Sequence, residues 1–332
     1  MIAPRFWARE RPTLAARALS PFGALYGFAV AKRMARPGAR VDAAVVCVGN
    51  FVLGGAGKTP TAIAVARLLQ AAGERVAFVS RGYGGRARGE PLRVDPALHD
   101  ARAVGDEPLL LARVAPCFVG SDRVAAARAA IKAGASALTL DDGLQNPSLA
   151  KDVALAVVDG EARFGNGLCF PAGPLRAPPA RQWPFVSAAV VIGGARGAEA
   201  PLGALAPARP IFRARLEPDA SVGARLAGRP VLAFAGVARP EKFFATLEAL
   251  GARVAAKRVF PDHHAFSDDE IEALIAEAAA RGLTPVATEK DHVRLAPAYR
   301  RAIVALPVTL RFEAPERVAA LIAAALAARR TA

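Results

Sequence analysis

The stretch Val45-Val46-Cys47-Val48-Gly49-Asn50-Phe51-Val52-Leu53-Gly54-Gly55-Ala56-Gly57-Lys58-Thr59-Pro60 decides the fold. The apolar, β-branched run over 43–48 predicts a strand, and the spacing after it predicts a helix over 59–72. Between them lie glycines at 49, 54, 55 and 57, followed by Lys58 and Thr59. Glycines let the backbone curl until several N–H groups point at one phosphate, and the helix amino end adds a favourable dipole. In such a loop Gly54, Gly55, Ala56 and Gly57 cradle the phosphates, Lys58 bridges the β- and γ-phosphates, and the Thr59 hydroxyl ligates Mg²⁺. One departure stands out: the generic G-x-x-x-x-G-K-T form has glycine where this chain has Val52.

Working outward, the apolar run 137–140 ends in Asp141-Asp142-Gly143-Leu144-Gln145. A strand that delivers acids beside a phosphate loop is a Walker B arrangement, and Asp141, Asp142 and Gln145 are candidate Mg²⁺ ligands, directly or through water. Further strands are read at 76–80, 153–158 and 188–192. Strands alternating with helices predict a mostly parallel α/β sheet of the P-loop NTPase kind, with helices on both faces and ligands beyond the carboxyl ends of the strands. A proline-rich texture around 207–218 reads as a linker carrying a strand at 211–216. A second, smaller α/β lobe follows, with strands at 231–235, 253–260, 285–288 and 302–310 and helices at 240–250, 268–281 and 315–330. The expected division is 1–40, 41–207 and 208–332, with the last helix free to pack back on the first lobe.

Residues 1–40 differ in character. Phe6, Trp7, Leu14, Leu19, Phe22, Leu25, Tyr26 and Phe28 are mixed with Arg5, Arg9, Arg11, Arg17, Lys32, Arg33 and Arg36. Two readings fit: a basic amphipathic helix lying on an anionic membrane, or an ordinary helix packed on the domain. Pro21 and Pro37 are expected to divide it into two short pieces. No uninterrupted apolar run approaches the ~18–20 residues of a spanning helix, and no cleavable leader is legible.

Composition is globular, with 53% hydrophobic and 22% charged residues among 332. The net charge of +15 fits either an anionic surface partner or a codon bias toward arginine. Cys47, Cys117 and Cys169 are scattered and form no C-x-x-C pair, which excludes a zinc framework and fits a reducing compartment. A guanine-reading N-K-x-D is missing, since Glu289-Lys290-Asp291 lacks the asparagine. A nucleic-acid ATPase would show strongly salt-dependent DNA binding, which is not expected here. The remaining alternative to a kinase is a membrane-associated ATPase or GTPase switch without a sugar acceptor.

The extended loop G-N-F-x-x-G-G-x-G-K-T-P resembles that of the tetraacyldisaccharide 4'-kinases, the lipid A 4'-kinases of Gram-negative envelopes. Seven further segments occur in the same order: Ser80-Arg81-Gly82-Tyr83-Gly84-Gly85, Val104-Gly105-Asp106-Glu107-Pro108, Asp141-Asp142-Gly143-Leu144-Gln145, Gly173-Pro174-Leu175-Arg176, Phe234-Ala235-Gly236-Val237-Ala238, Phe260-Pro261-Asp262-His263-His264 and Thr288-Glu289-Lys290-Asp291. The resemblance implies transfer of the ATP γ-phosphate to the 4'-hydroxyl of a tetraacyl glucosamine disaccharide 1-phosphate, with Mg²⁺. It also implies two α/β lobes joined by a short β linker, at the cytoplasmic face of the inner membrane, with no obligate protein partner.

Several site roles follow from the resemblance. Asp106 matches the acid assigned as general base for a weakly nucleophilic sugar hydroxyl, and His263 matches its partner, with His264 beside it as a substitute. Read on its own, Asp106 before Glu107-Pro108 is a helix cap. Arg176 matches an arginine that stabilises transition-state charge. The family's Glu after it is Ala177 here, so its metal contact falls to Asp141, Asp142, Gln145 or water. Asn50 and Arg81 are placed on the substrate side; Arg81, with the 82–85 turn, either binds the acceptor's 1-phosphate or shapes the loop.

Overall fold

The computed structural model describes residues 4–86 and 89–331; residues 1–3, 87–88 and 332, which include both ends of the expected segments, lie outside the described residues. The strands are β1 (Ala44–Asn50), β2 (Val76–Ser80), β3 (Leu92–Arg93), β4 (Cys117–Val119), β5 (Ala137–Asp141), β6 (Val153–Asp159), β7 (Ala188–Ile192), β8 (Ile211–Pro218), β9 (Pro230–Ala235), β10 (Arg253–Val259), β11 (Thr284–Thr288), β12 (Val304–Leu306) and β13 (Val308–Phe312). Nine of them form one sheet in the order β13-β8-β7-β6-β1-β5-β2-β4-β3, and four form a second in the order β10-β9-β11-β12. The large sheet is parallel from β8 to β4, with antiparallel strands only at its two edges.

Every residue of β1 is buried, as a central parallel strand covered on both faces must be. Val46 and Val48 face a core built with Val65 and Leu69 of the helix Lys58–Ala71 and with Val318, Ile322 and Leu326 of the helix Pro315–Arg330. Val45 and Cys47 face the other way, toward Val30 and Met34 of the first helix, Ala126 and Ala130 of the helix Arg123–Lys132, and Trp183. The sheet order reverses at β1, whose neighbours are β5 on one side and β6 on the other. A crevice therefore opens beyond the carboxyl end of β1, where the glycine loop begins.

Three sequence expectations are corrected. The run 302–310 is not one strand: Pro307, with no N–H to donate, ends β12 in the small sheet, and β13 starts afresh beside β8 in the large one. The block 208–332 is accordingly divided. Strands β8 and β13 belong to the large sheet, the last helix packs back on its core as the sequence reading allowed, and β9–β12 with the helices Pro240–Ala249 and Asp268–Ala280 make the small lobe between them. Lastly, Pro21 does not break the amino-terminal helix, which runs from Leu14 to Met34. The Arg17 carbonyl, left without its usual donor by Pro21, accepts the Ser20 hydroxyl at 2.7 Å instead. This helix is long and apolar enough to cross a membrane by length and composition, where the sequence reading found no such run.

The carboxyl-terminal helix is fastened at its end as well: Arg329 donates to Asp152 at 3.2 Å, and Asp152 also accepts the Val45 N–H of β1 at 2.7 Å. Ile322→Ala should therefore cost about 2–5 kcal/mol, the usual range for a buried Ile truncation. Denaturant unfolding measures this, and a loss under ~1 kcal/mol would mean that the helix does not close the large core.

Candidate active site

The glycine loop is braced from inside. Gly57, at φ 81°, caps the helix Lys58–Ala71 in the left-handed region, which glycine adopts without steric cost. The Gly54 carbonyl accepts both Lys58 Nζ at 2.9 Å and Asn50 Nδ2 at 3.1 Å. Val52, at the position of the generic loop's glycine, makes an antiparallel bridge with Leu175. Leu53 N donates to Pro174 O at 2.7 Å and Arg176 N to Phe51 O at 2.8 Å. Such pairing needs extended backbone, which a β-branched valine favours, so the departure from the generic form has a local physical reason.

Beside the loop, Thr59 Oγ1 donates to Asp141 Oδ2 at 2.9 Å. Asp142, at φ 54°, receives Arg176 Nη2 at 2.9 Å and has Lys58 Nζ at 3.9 Å. Its carbonyl accepts Arg123 Nη2 at 2.9 Å, from the buried first residue of the helix Arg123–Lys132. Burial pushes the Asp141 carboxyl up to about 6, offset in part by Lys58. Burial also acts to raise Asp142, but Lys58 and Arg176 outweigh it and hold that carboxyl at about 2. Burial lowers the Lys58 ammonium, against the pull of Asp142.

The buried Oδ1 atoms of Asp141 and Asp142 have no hydrogen-bond partner. Two carboxylate oxygens and a hydroxyl at one strand end are the hard oxygen donors Mg²⁺ prefers, so these residues fit the ion. Gln145 stands elsewhere than its metal assignment anticipates. Its Nε2 donates to Asn50 O at 2.7 Å and Gln182 Oε1 at 2.8 Å, and its Oε1 accepts Arg176 Nη1 at 3.2 Å. Asn50, placed on the substrate side by resemblance, is fully buried within the same brace. Gln145 satisfies both ends of its carboxamide on protein groups, while Asn50 pairs only its Nδ2 and keeps Oδ1 buried without a hydrogen-bond partner. Ala177 is fully buried, and its carbonyl accepts Gln182 Nε2 at 2.6 Å. Arg81 is exposed just past the carboxyl end of β2.

Across the crevice lies a second charged group. Asp106 opens the helix Asp106–Ala112; the cap itself is Gly105, at φ 89°, and the carboxylate is turned inward at 4% exposure. Asp106 Oδ1 accepts its neighbour's Glu107 N–H at 3.0 Å, while Oδ2 lies 3.2 Å from His263 Nδ1 and 3.7 Å from Lys290 Nζ. Lys290 Nζ also lies 2.7 Å from Glu107 Oε1 and 3.2 Å from His263 Nε2. Of the two adjacent histidines, His264 is engaged elsewhere, with Nε2 2.9 Å from Glu270 and its ring stacked on Phe260. His263, held at φ 59°, is the one that meets Asp106, with the exposed Tyr83 edge-on to its ring. A cavity of about 100 Å³ beside the pair is lined by Tyr83, Arg102, Asp106, His263 and Arg294, among others.

Burial works to raise Asp106, but its hydrogen bonds and the cations around it hold its carboxyl far below the ordinary range. Glu107 goes the other way, pushed up to about 7 by burial and by Asp106's charge. The glycine loop and this cluster face each other closely enough that Glu107 is felt at Lys58 and Lys290 at Asp141. Sequence reasoning missed two participants. Arg294 lies one helical turn past Asp291, just outside the quoted segment, and Glu107 lies inside a quoted segment with no role assigned.

Residues 15–327 match the family described as tetraacyldisaccharide-1-P 4'-kinase. The tetraacyldisaccharide 4'-kinase of Methylobacterium sp. (strain 4-46) is 60% identical over 99% of this chain and 98% of its own length. That of Methylobacterium nodulans is 54% identical over 99% and 96%. A crystal structure of LpxK from Aquifex aeolicus, an "apo" form in complex with ATP, superposes with a TM-score of 0.74 at 24% identity, covering 94% of this chain and 99% of that one. It shares the fold.

A methyl group at Gly57 would come within 2.5 Å of Ile192 Cδ1 and would sit on left-handed backbone. Gly57→Ala is therefore expected to cost about 1–2 kcal/mol of backbone strain. The outcome to look for is a lower melting temperature together with weaker ATP binding by calorimetry; wild-type values for both would remove Gly57 from the loop's geometry.

Proposed function

This chain belongs to the tetraacyldisaccharide-1-P 4'-kinase family, and from that premise we propose how its own residues transfer the ATP γ-phosphate to the 4'-hydroxyl of a tetraacyl glucosamine disaccharide 1-phosphate. The observation that carries the reading is the glycine loop, with Thr59 on Asp141, facing the Asp106–His263 pair across one crevice. The loop N–H groups and the helix end at Lys58 grip the triphosphate. Lys58 exchanges the Gly54 carbonyl for phosphate oxygens, and Arg176 lies on the same side for the charge that spreads over the γ-phosphoryl oxygens. Thr59, Asp141 and Asp142 would hold Mg²⁺, which when bound offsets the charge of the β- and γ-phosphates.

On the acceptor side, the sugar oxygen forms the new bond to γ-phosphorus as the bond to the β-phosphate oxygen breaks. The hydroxyl proton passes to the Asp106–His263 pair, with Asp106 as base and His263 orienting it or relaying the proton. Arg81 and Tyr83, exposed beside the cavity, stand where the acceptor enters. A nucleotide switch, the other reading open at the sequence level, has no use for that pair.

The amino-terminal helix supplies the route to a lipid. Gly23 and Gly27 lie against Cys169, so a methyl group at either would strike it, while Leu14, Phe22, Leu25 and Phe28 are 64% to 84% exposed. Exposed Lys32, Arg33 and Arg36 follow at its carboxyl end. One face packed on protein and one apolar face left open, flanked by cations, suits a helix lying in the interface at the cytoplasmic face of the inner membrane.

Incubation with γ-labelled ATP, Mg²⁺ and the tetraacyl disaccharide 1-phosphate should move label into the lipid; label released only as free phosphate would favour the switch. Lys58→Ala and Asp106→Asn should each lower turnover by roughly 10²–10⁴-fold, the range for lost electrostatic or proton-transfer groups. Near-normal turnover in Asp106→Asn would end its role as base. Phe22→Asp combined with Phe28→Asp should reduce co-sedimentation with anionic vesicles at least about tenfold, given ~1.5–3 kcal/mol per buried aromatic. Undiminished sedimentation would remove the helix as the membrane contact.

A further inference from the structure

Arg294 is 5% exposed, and its hydrogen bonds, to Asp106, Gly236 and Asp291, converge on the acceptor-side pair. Its Nε donates to Asp106 Oδ2 at 2.8 Å, and Nη2 donates to the same oxygen. Its Nη1 donates to the Gly236 carbonyl at 2.9 Å and to Asp291 Oδ1 at 2.8 Å. Asp291 is fully buried and is itself fixed by the Gly236 N–H at 3.0 Å and the Thr288 hydroxyl at 2.6 Å. The Gly236 carbonyl that receives Arg294 also receives the His263 backbone N–H at 3.1 Å. One guanidinium thus grips the carboxylate of the pair directly and the backbone anchor of its histidine through a single carbonyl.

The two partners come from different lobes. Asp106 lies on the large-sheet side, whereas Gly236, His263, Asp291 and Arg294 belong to the small lobe. Arginine suits this task because its planar fork presents several N–H groups in fixed directions, and a buried guanidinium stays charged. Its counter-charges are already in place: Asp291 on one side and Asp106 on the other.

We propose that Arg294 is a positioning residue that assembles the Asp106–His263 pair across the two lobes and keeps its carboxylate ready to accept the hydroxyl proton. The inference rests on the reading of Asp106 as base given above. The groups facing Asp106 are Glu107 on its own helix, and His263, Lys290 and Arg294 from the small lobe, with Asp262 4.0 Å from His263 Nε2. Without Arg294 the carboxylate loses a cation at hydrogen-bond distance, so it takes up a proton at higher pH.

The test uses the full-length enzyme, with kcat and both KM values measured at neutral pH. Arg294→Gln should lower kcat about 10²-fold, as misplacement by an ångström does, with KM for ATP within about twofold because the loop is untouched. Arg294→Lys should recover at least about tenfold of the lost kcat, since it restores charge but not the fork. A kcat within about threefold of wild type in Arg294→Gln, or a lowered kcat with KM for ATP raised to match, overturns the inference. If Arg294→Gln does not fold, Arg294→Lys decides: lowered kcat at unchanged KM supports the proposal, and wild-type kcat overturns it. Asp106→Asn is measured in parallel. Normal turnover there sinks the base reading itself, whereas an inactive Asp106→Asn beside a fully active Arg294→Gln sinks only the role of Arg294.

Discussion

Asp106 is a carboxylate buried away from water, and a buried charge persists only where opposite charge and hydrogen bonds replace the solvent. Its cations, Lys290 and Arg294, come from the far side of the cleft, as does His263. The large sheet supplies the acid and the small lobe supplies what keeps it ionised. Neither lobe alone holds the whole cluster. The topology delivers these partners: after β8 the chain leaves the large sheet, builds β9–β12 with His263, Lys290 and Arg294, and returns as β13 beside β8.

The nucleotide side is organised by a different economy. Here the glycine loop has few side chains of its own and is shaped by carbonyls and buried amides. Under the loop the Gln145 carboxamide joins Gln182 to the Asn50 main-chain carbonyl, the Asn50 side chain holds the Gly54 carbonyl, and Arg176 ties Gln145 to Asp142. This explains why Gln145, which looks like a ligand in the sequence, is spent on protein partners. Asp141 and Asp142 each keep one buried oxygen without a hydrogen-bond partner, as does Asn50. Asp141 and Asp142 also separate electrostatically, one raised to about 6 by burial and the other held at about 2 by Lys58 and Arg176.

Departures from the generic loop, at Val52, and from the family pattern, at Ala177, find local reasons in the same region. Val52 takes part in a bridge that glycine would make only loosely, and Ala177 fills a fully buried position whose carbonyl holds Gln182. In the amino-terminal helix, Pro21 is tolerated because the neighbouring Ser20 hydroxyl takes over the orphaned carbonyl. The reading of two short helices went astray there by judging proline alone, without the residue beside it.

Read as a sequence, the chain already determined its strand–loop–helix core, most strand positions, the phosphate loop and the acids at 141 and 142. These are local signals: hydrophobic period, glycine freedom and the polarity of a strand end act over a few residues. Tertiary structure decided what depends on distant partners. It split the run around Pro307 between two sheets and sent the last helix back onto β1. It gave His263 rather than His264 to Asp106, and it revealed Arg294, 188 residues away in the chain, as the group holding that acid. Charge pairing across a cleft has no sequence period, because its partners meet only when the lobes dock.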